Sequence, residues 1–185
     1  MKVIETSLTG CYVIDPKVFG DDRGFFFETW NAGRFGEVGL PTAFSQSNVS
    51  SSTRGVLRGL HYQWPHPQGK LVSVLEGEVY DVAVDIRRGS PTFGRWEAVV
   101  LSAANKRQFW IPPGFAHGFA VLSDTALFHY LCTDVYVKEA DAGIRWNDAD
   151  IAVDWPIGQP LLSAKDEQAP FLKDLPEDRL PVVAV

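Results

Sequence analysis

The run Arg54-Gly-Val-Leu-Arg-Gly-Leu-His-Tyr-Gln63 is answered downstream by Pro112-Pro-Gly-Phe-Ala-His-Gly-Phe119. Each stretch sets a histidine, His61 or His117, in an apolar, strand-like context beside glycines that permit close backbone approach. Arg54 and Arg58 precede the first histidine, and Lys70 follows soon after it. Imidazole titrates near neutrality, so beside fixed cations His61 is suited to taking a proton from an anionic substrate. Lys70 is suited to holding an oxyanion formed by that proton's loss. Removing such a donor typically costs roughly 3 kcal/mol of transition-state stabilisation.

The plainer readings differ from one histidine to the next. A lone strand histidine is usually a satisfied core residue, and His129 is read that way. His66, between two prolines, is read as an exposed loop residue. His117, after Pro-Pro-Gly, serves equally well as the close of a turn. For His61 the company of Arg58 and Lys70 favours chemistry, because a structural imidazole gains nothing from nearby cations. Arg54, Arg87 and Arg88 are as readily solvated as functional.

These residues sit among short strands. From Lys70 onward apolar positions recur with period two: Val82, Val84 and Ile86 alternate with Asp81, Ala83 and Asp85, and Trp96, Ala98 and Val100 with Glu97, Val99 and Leu101. Turn signals fall at Glu76-Gly77, Arg88-Gly-Ser-Pro91, Ala104-Asn105, Pro112-Pro-Gly114 and Ser123-Asp124. Spacings of about ten residues suit an antiparallel sandwich or barrel, since the connections are too short for helical crossovers. Helices are expected only around Asn31–Val38 and Ser163–Gln168, the second opened by a capping-box pattern at Ser163-Ala-Lys-Asp166. Residues 1–185 read as one all-β domain, with 178–185 as an extended tail.

Composition narrows the partners. The chain has 185 residues, 45% hydrophobic and 22% charged, which is enough for one sizeable core. A net charge of −6 argues against general affinity for nucleic acid or membrane surfaces, so any phosphate must be held by a local cluster of cations. Cys11 and Cys132 make neither a disulfide framework nor a zinc motif. No membrane-length apolar run and no signal-peptide pattern is seen, so the expected location is cytoplasmic.

Pro112-x-Gly114-x-x-His117 resembles the second motif of the cupin barrels, and the glycine-bounded run His61–Gly77 resembles the first. Metal-binding cupins use a His-x-His pair. Here the pair reads His61-Tyr62-Gln63, and a neutral amide is a poor ligand for zinc, iron or copper. A cupin-like scaffold without metal or cofactor is the expectation.

Longer segments carry a more specific resemblance. Val18-Phe-Gly-Asp-Asp-Arg-Gly-Phe-Phe-Phe-Glu28, Gln46-Ser-Asn48, Gly55-Val-Leu-Arg-Gly-Leu-His-Tyr-Gln63, Gly69-Lys-Leu-Val72, Asp81-Val-Ala-Val-Asp-Ile-Arg87 and Gly89-Ser-Pro-Thr-Phe-Gly94 form its first half. Ile111-Pro-Pro-Gly-Phe-Ala-His-Gly-Phe119, Tyr130-Leu-Cys-Thr-Asp134, Gly143-Ile-Arg-Trp-Asn-Asp148, Asp154-Trp-Pro156 and Leu162-Ser-Ala-Lys-Asp166 complete it. In order and spacing the chain resembles the dTDP-4-dehydrorhamnose 3,5-epimerase family from about Val18 to Asp166.

That resemblance implies a cupin-like jelly-roll sandwich or barrel with a few short peripheral helices. It further implies a homodimer whose N-terminal segment is exchanged between protomers. The implied substrate is a dTDP-linked 4-keto-6-deoxy sugar, epimerised at C3 and C5 through an enolate. His61 falls on the base, Asp166 on its carboxylate partner, Tyr130 on the acid, and Lys70 on the lysine near the C4 oxygen. Arg23, Phe25, Glu28, Gln46, Asn48, Arg58, His117, Asp141 and Lys165 fall on positions that bind nucleotide diphosphate or sugar. Asp141 replaces a frequent glutamate and Ser73 a frequent arginine, which bears on the finer substrate contacts.

Read without the resemblance, Tyr130 fits a core aromatic, Asp166 fits helix capping, and Arg23 fits a turn pair with Asp21 or Asp22. Epimerisation at one carbon, a 4-keto sugar isomerase, and a non-catalytic sugar-nucleotide binding module remain the competing functions. Retention of His61, Lys70, Tyr130 and Asp166 together speaks against simple binding, which needs neither base nor acid.

Overall fold

The computed structural model describes residues 1–183. The chain first lays down β1 (Lys2–Glu5), β2 (Tyr12–Asp15), β3 (Val18–Asp21), β4 (Gly24–Phe27) and the one-and-a-half-turn helix α1 (Ala32–Glu37). The strands β5 (Gln46–Thr53), β6 (Leu57–Gln63), β7 (Lys70–Glu76), β8 (Glu78–Asp85) and β9 (Trp96–Ser102) follow. Then come β10 (Gln108–Ile111), β11 (Phe115–Val121), β12 (Thr125–Cys132), β13 (Asp141–Gly143) and helix α2 (Ala164–Glu167). Every pairing between these strands is antiparallel.

Two sheets face each other, one ordered β1-β2-β10-β7-β12-β5 and the other β13-β6-β11-β8-β9. Between them Val72, Val74, Phe109 and Phe128 meet Val79, Leu101, Phe119 and Val121. The rings of Phe119 and Phe128 stack across this layer with centroids 4.2 Å apart. This is the cupin-like sandwich the sequence suggested, and the turns fall where its glycines and prolines placed them.

The alternation in β8 has an unexpected sense. Val82, Val84 and Ile86 face outward, where Ile144, Ile151, Leu172 and Leu180 of the C-terminal segment cover them. The face bearing Asp81, Ala83 and Asp85 turns into the sandwich, so both faces of β8 are buried. Asp85 is satisfied there by Arg87, Ser90 and Thr92. Arg54 and Arg88 likewise have partners, in Asp124 and Glu177.

Both helices lie where expected. The Asn31 side chain accepts the Arg34 N–H at 3.1 Å, and Ser163 Oγ accepts the Asp166 N–H at 3.2 Å. α1 lays Phe35 over Ile14, Leu71 and Trp110 on the outer face of the six-stranded sheet. The closing stretch is more docked than the expected tail: Glu177–Arg179 form a 3-10 turn, Leu180 is buried, and Val183 N–H donates to the Arg88 carbonyl. Residues 184 and 185 of that tail lie outside the described residues.

β3 and β4 stand apart as a separate hairpin. Its Phe25 and Phe26 are 62% and 68% exposed.

Two glycines let β6 and β11 approach closely enough to carry their histidines side by side. A Cβ on Gly59, whose φ is +131°, would lie 2.5 Å from Gly118 Cα and 2.9 Å from the His117 carbonyl oxygen. Backbone on both sides leaves no flexible atom to yield. Gly59→Ala is therefore expected to destabilise by about 2 kcal/mol or more, lowering Tm by at least about 4 °C for a domain of this size. Calorimetry checks this, and an unchanged Tm would contradict the crossing.

Candidate active site

The polar end of the sandwich is built by register. On the six-stranded sheet Gln46 pairs with Cys132 and Cys132 with Lys70. One row further in, Asn48 pairs with Tyr130 and Tyr130 with Val72. Because side chains alternate across a strand, these two rows share the inner face with Val74 and Phe128 of the apolar core. On the opposing sheet, β6 alternation brings His61 and Gln63 to the inner face, while Leu60 and Tyr62 join the outer apolar layer. A cavity of about 280 Å³ opens between the two polar ends, lined among others by His61, Lys70, Tyr130, Asp141 and Lys165.

His61 is held from below. Its Nε2 lies 2.5 Å from Asp166 Oδ1, with the two side chains 32% and 4% exposed. A carboxylate only accepts, so the neutral ring carries its proton on Nε2 and leaves the Nδ1 lone pair available as a base. Burial would raise the Asp166 carboxyl, but hydrogen bonds from His61, Ser163 and the Gly59 backbone hold it below its ordinary range. Asp166 thus serves the imidazole rather than only the helix start, and Ser163 caps α2 without a returning side chain.

Tyr130 is at once packed on the core and exposed to the cavity. One face of its ring packs against the core near Phe128, and the residue also lines the cavity. Burial pushes its phenol up, Cys132 adds to this, and Arg58 opposes it. The phenol therefore stays protonated through the neutral range. His61 and Tyr130 belong to opposite sheets, so a molecule in the cavity has a base on one side and a proton donor on the other. Lys70, on β7 of the same sheet as Tyr130, lines the same cavity.

The remaining predicted residues divide. Gln46, Asn48, Asp141 and Lys165 line the cavity. Arg58 lies at its edge, with Nε on Ser52 Oγ at 3.0 Å. His117 lies behind the wall: its Nε2 is 2.9 Å from Asp81 Oδ2, its ring is stacked on Phe128, and it is 6% exposed. Burial lowers its pKa, against the opposing pull of Asp81. Arg23, Phe25 and Glu28 are absent from the lining. Arg23 pairs with Asp21, as its turn position allowed, and Glu28 holds Asn31 and Arg34.

Two readings change. Ser73, flanked by core-facing Val72 and Val74, points to the outer face and bonds His129, so it bears on no contact in the cavity. His129 is satisfied by Ser47 and Ser73 on that outer face rather than within the core. Residues to which the sequence assigned no catalytic or binding role also shape the site. Gln63 bonds His66 O, Val135 O and Val137 N, which commits its amide to fastening two rim segments. Asp81 and Tyr136 belong here too. No cluster of three metal-ligating side chains occurs among the described residues.

A family model described as dTDP-4-dehydrorhamnose 3,5-epimerase matches residues 5–174. The enzyme of that name from Shigella flexneri is 57% identical over 90% of this chain and 93% of its own. That of Pseudomonas aeruginosa is 54% identical over 94% and 97%. The structure of dTDP-6-deoxy-D-glucose-3,5-epimerase from Legionella pneumophila, in complex with dTDP-4-keto-L-rhamnose, superposes with a TM-score of 0.97. It is 53% identical and covers 100% of this chain and 99% of its own. The chain belongs to the dTDP-4-dehydrorhamnose 3,5-epimerase family.

Lys70 offers a direct check on the site's electrostatics. Burial lowers its pKa from the ordinary 10.5, and Cys132, Asp81 and Asp141 only partly oppose this. The folded state disfavours the charged amine, so this group costs stability at neutral pH. The cost fades as pH rises through the lowered pKa toward 10.5. NMR titration of isotopically labelled lysine is expected to show one resonance, lost in Lys70→Arg, with its midpoint below the others. A Lys70 midpoint at or above 10.5 would reject the assignment.

Proposed function

We propose that this member of the family epimerises dTDP-4-dehydro-6-deoxy-D-glucose at C3 and C5, giving dTDP-4-dehydro-L-rhamnose. The observation that carries this reading is the placement of His61 and Tyr130 on facing sheets around one cavity that Lys70 also lines. A ketone at C4 acidifies the C–H bonds at C3 and C5. His61 Nδ1 takes one of these protons, and the electron pair moves through the new C=C bond onto the C4 oxygen. Lys70 stabilises the resulting enolate oxygen. The Tyr130 O–H then delivers a proton to the opposite face of the carbon, the C4 carbonyl re-forms, and stereochemistry is inverted. Solvent exchange returns His61 and Tyr130 to their starting states before the second carbon reacts. Protons are the only species transferred, so the chemistry calls for no redox cofactor or metal.

Gln46, Asn48, Arg58, Asp141 and Lys165 are positioned to receive the nucleotide diphosphate and sugar, and His117 supports the wall beside His61. The location proposed is the cytoplasm. Buried, unpaired Cys11 and Cys132 fit a reducing compartment, and no helix among the described residues is long and apolar enough to cross a membrane.

The test is proton NMR of dTDP-4-keto-6-deoxyglucose with the protein in deuterated buffer. Exchange at both C3 and C5 is expected, and exchange at one carbon or neither would replace the reading with a single-site epimerase or a binding module. His61→Asn is expected to lose about 10²–10⁴-fold or more in exchange, while nucleotide binding persists. Tyr130→Phe keeps the ring and its packing, so stability should hold while inverted product becomes scarce relative to exchange. Full inversion at undiminished rate in Tyr130→Phe would return that residue to a packing role.

We also propose a homodimer in which each β3–β4 hairpin completes the partner's cavity. The support is the hairpin's own surface. Phe19, Phe25 and Phe26 are more than half exposed, and Arg23 is 90% exposed at its tip. Such an apolar patch on a small two-stranded sheet calls for cover. Light scattering should give about twice 20.5 kDa. Arg23→Ala should raise KM while leaving the His61 chemistry intact. A stable, active monomer would end this proposal.

A further inference from the structure

We propose that Asp141 is a positioning residue: through Lys165 it clamps α2 against β13 and so keeps Asp166 on His61. The inference rests on the reading of His61 as the base. It assigns Asp141 a task beyond contact with substrate.

Helix α2 has four residues, far fewer than the roughly 12–15 at which an isolated helix becomes even marginally stable. Its placement must come from what grips it, and successive residues are gripped by adjacent strands. Lys165 pairs with Asp141 on β13, while Asp166 binds His61 on β6. Those strands are paired, with Asp141 opposite Gln63 and Gly143 opposite His61. The two holds therefore share one short piece of ladder.

Asp141 is itself fixed from the other side. Its Oδ2 accepts the Tyr136 hydroxyl at 3.1 Å. The segment around Tyr136 hangs on two glutamines: Gln46 Oε1 accepts the Tyr136 N–H, and Gln63 Oε1 accepts the Val137 N–H, both at 2.7 Å. Gln63 stands two residues beyond His61 on the same face of β6. The contacts thus close a circuit around the cavity mouth: His61, Asp166, Lys165, Asp141, Tyr136, Val137, Gln63 and back along β6 to His61.

The Lys165 and Asp141 side chains are 51% and 21% exposed, and a pair so open to solvent contributes little to global stability. Geometry is where it acts. A displacement of about 1 Å in a catalytic group can cost on the order of 10²-fold in rate.

The experiment compares Asp141→Asn, Lys165→Met, the double variant and Asp141→Glu. Each single variant should keep Tm near wild type while kcat falls about 10-fold, a fraction of the loss that full misplacement brings. The double variant should lose no more than either single, because both remove one interaction. In an Asp166→Asn background, adding Asp141→Asn should cost nothing further. The downfield proton resonance of His61 Nε2–H, read without substrate, should weaken in Asp141→Asn and Lys165→Met and return in Asp141→Glu.

A raised KM with kcat and the resonance unchanged would make these residues substrate contacts and overturn the clamp. So would additive losses in the double variant. A wild-type protein that exchanges neither C3 nor C5 would instead defeat the functional reading, since the resonance response is measured without turnover.

Discussion

The hydrogen bond between His61 and Asp166 is the contact on which the site depends. It joins residues 105 positions apart and is made between a β-strand of the sandwich and a single helical turn near the end of the chain. For Asp166 to be ionised at 4% exposure it needs donors, and it has three: the imidazole, the Ser163 side chain and the Gly59 backbone. Gly59 also sits where β6 runs so close to β11 that a Cβ at 59 or 118 would meet backbone of the other strand. The glycines flanking the histidine are thus part of the mechanism of holding the base, as much as the carboxylate is.

The interior of the sandwich grades from dry to polar along its strands. Phe128, Tyr130 and Cys132 lie two residues apart on one face of β12, stepping from the aromatic core to the cavity wall. Beneath the wall, the buried His117–Asp81 pair keeps two polar groups satisfied at full desolvation, although Asp81 Oδ1 lacks a protein partner. Asp81 and Asp141 both favour the charged form of Lys70 against the lowering effect of burial. An amine that burial has stripped of most of its hydration suits an oxyanion partner better than a fully solvated one.

Much of this was legible in the sequence, for reasons that differ by residue. Strand alternation, the turn glycines and the Asn31 and Ser163 caps are local signals, and they located the sheets and both helices. His61 beside Arg58 and Lys70 was visible as chemistry because that company has no structural use. Tyr130 and Asp166 were not separable from core and cap by spacing alone, since Tyr130 both packs near Phe128 and lines the cavity, while Asp166 both opens α2 and binds His61. Periodicity also leaves open which face of a doubly buried strand turns inward, so Asp81 and Asp85 could not be placed. Ser73 illustrates the complementary error: adjacency to Val72 in sequence puts it on the opposite face of the sheet.

Charge placement bears on how the cavity could meet an anionic nucleotide. The chain is acidic overall, so an anionic nucleotide must be met by cations concentrated locally. Around the cavity those cations are Lys165, paired with Asp141, Arg58, which donates to Ser52, and Lys70, buried near Asp81 and Cys132. Arg23, by contrast, sits on a projecting aromatic hairpin and pairs only with Asp21 of the same turn. A diphosphate could compete for that guanidinium at small cost, because both charges of the Arg23–Asp21 pair are open to water. Brought onto a second copy by the apolar hairpin, Arg23 would add its cationic charge to theirs. The same exposed phenylalanines that burden the isolated protomer would then be the means of delivering it.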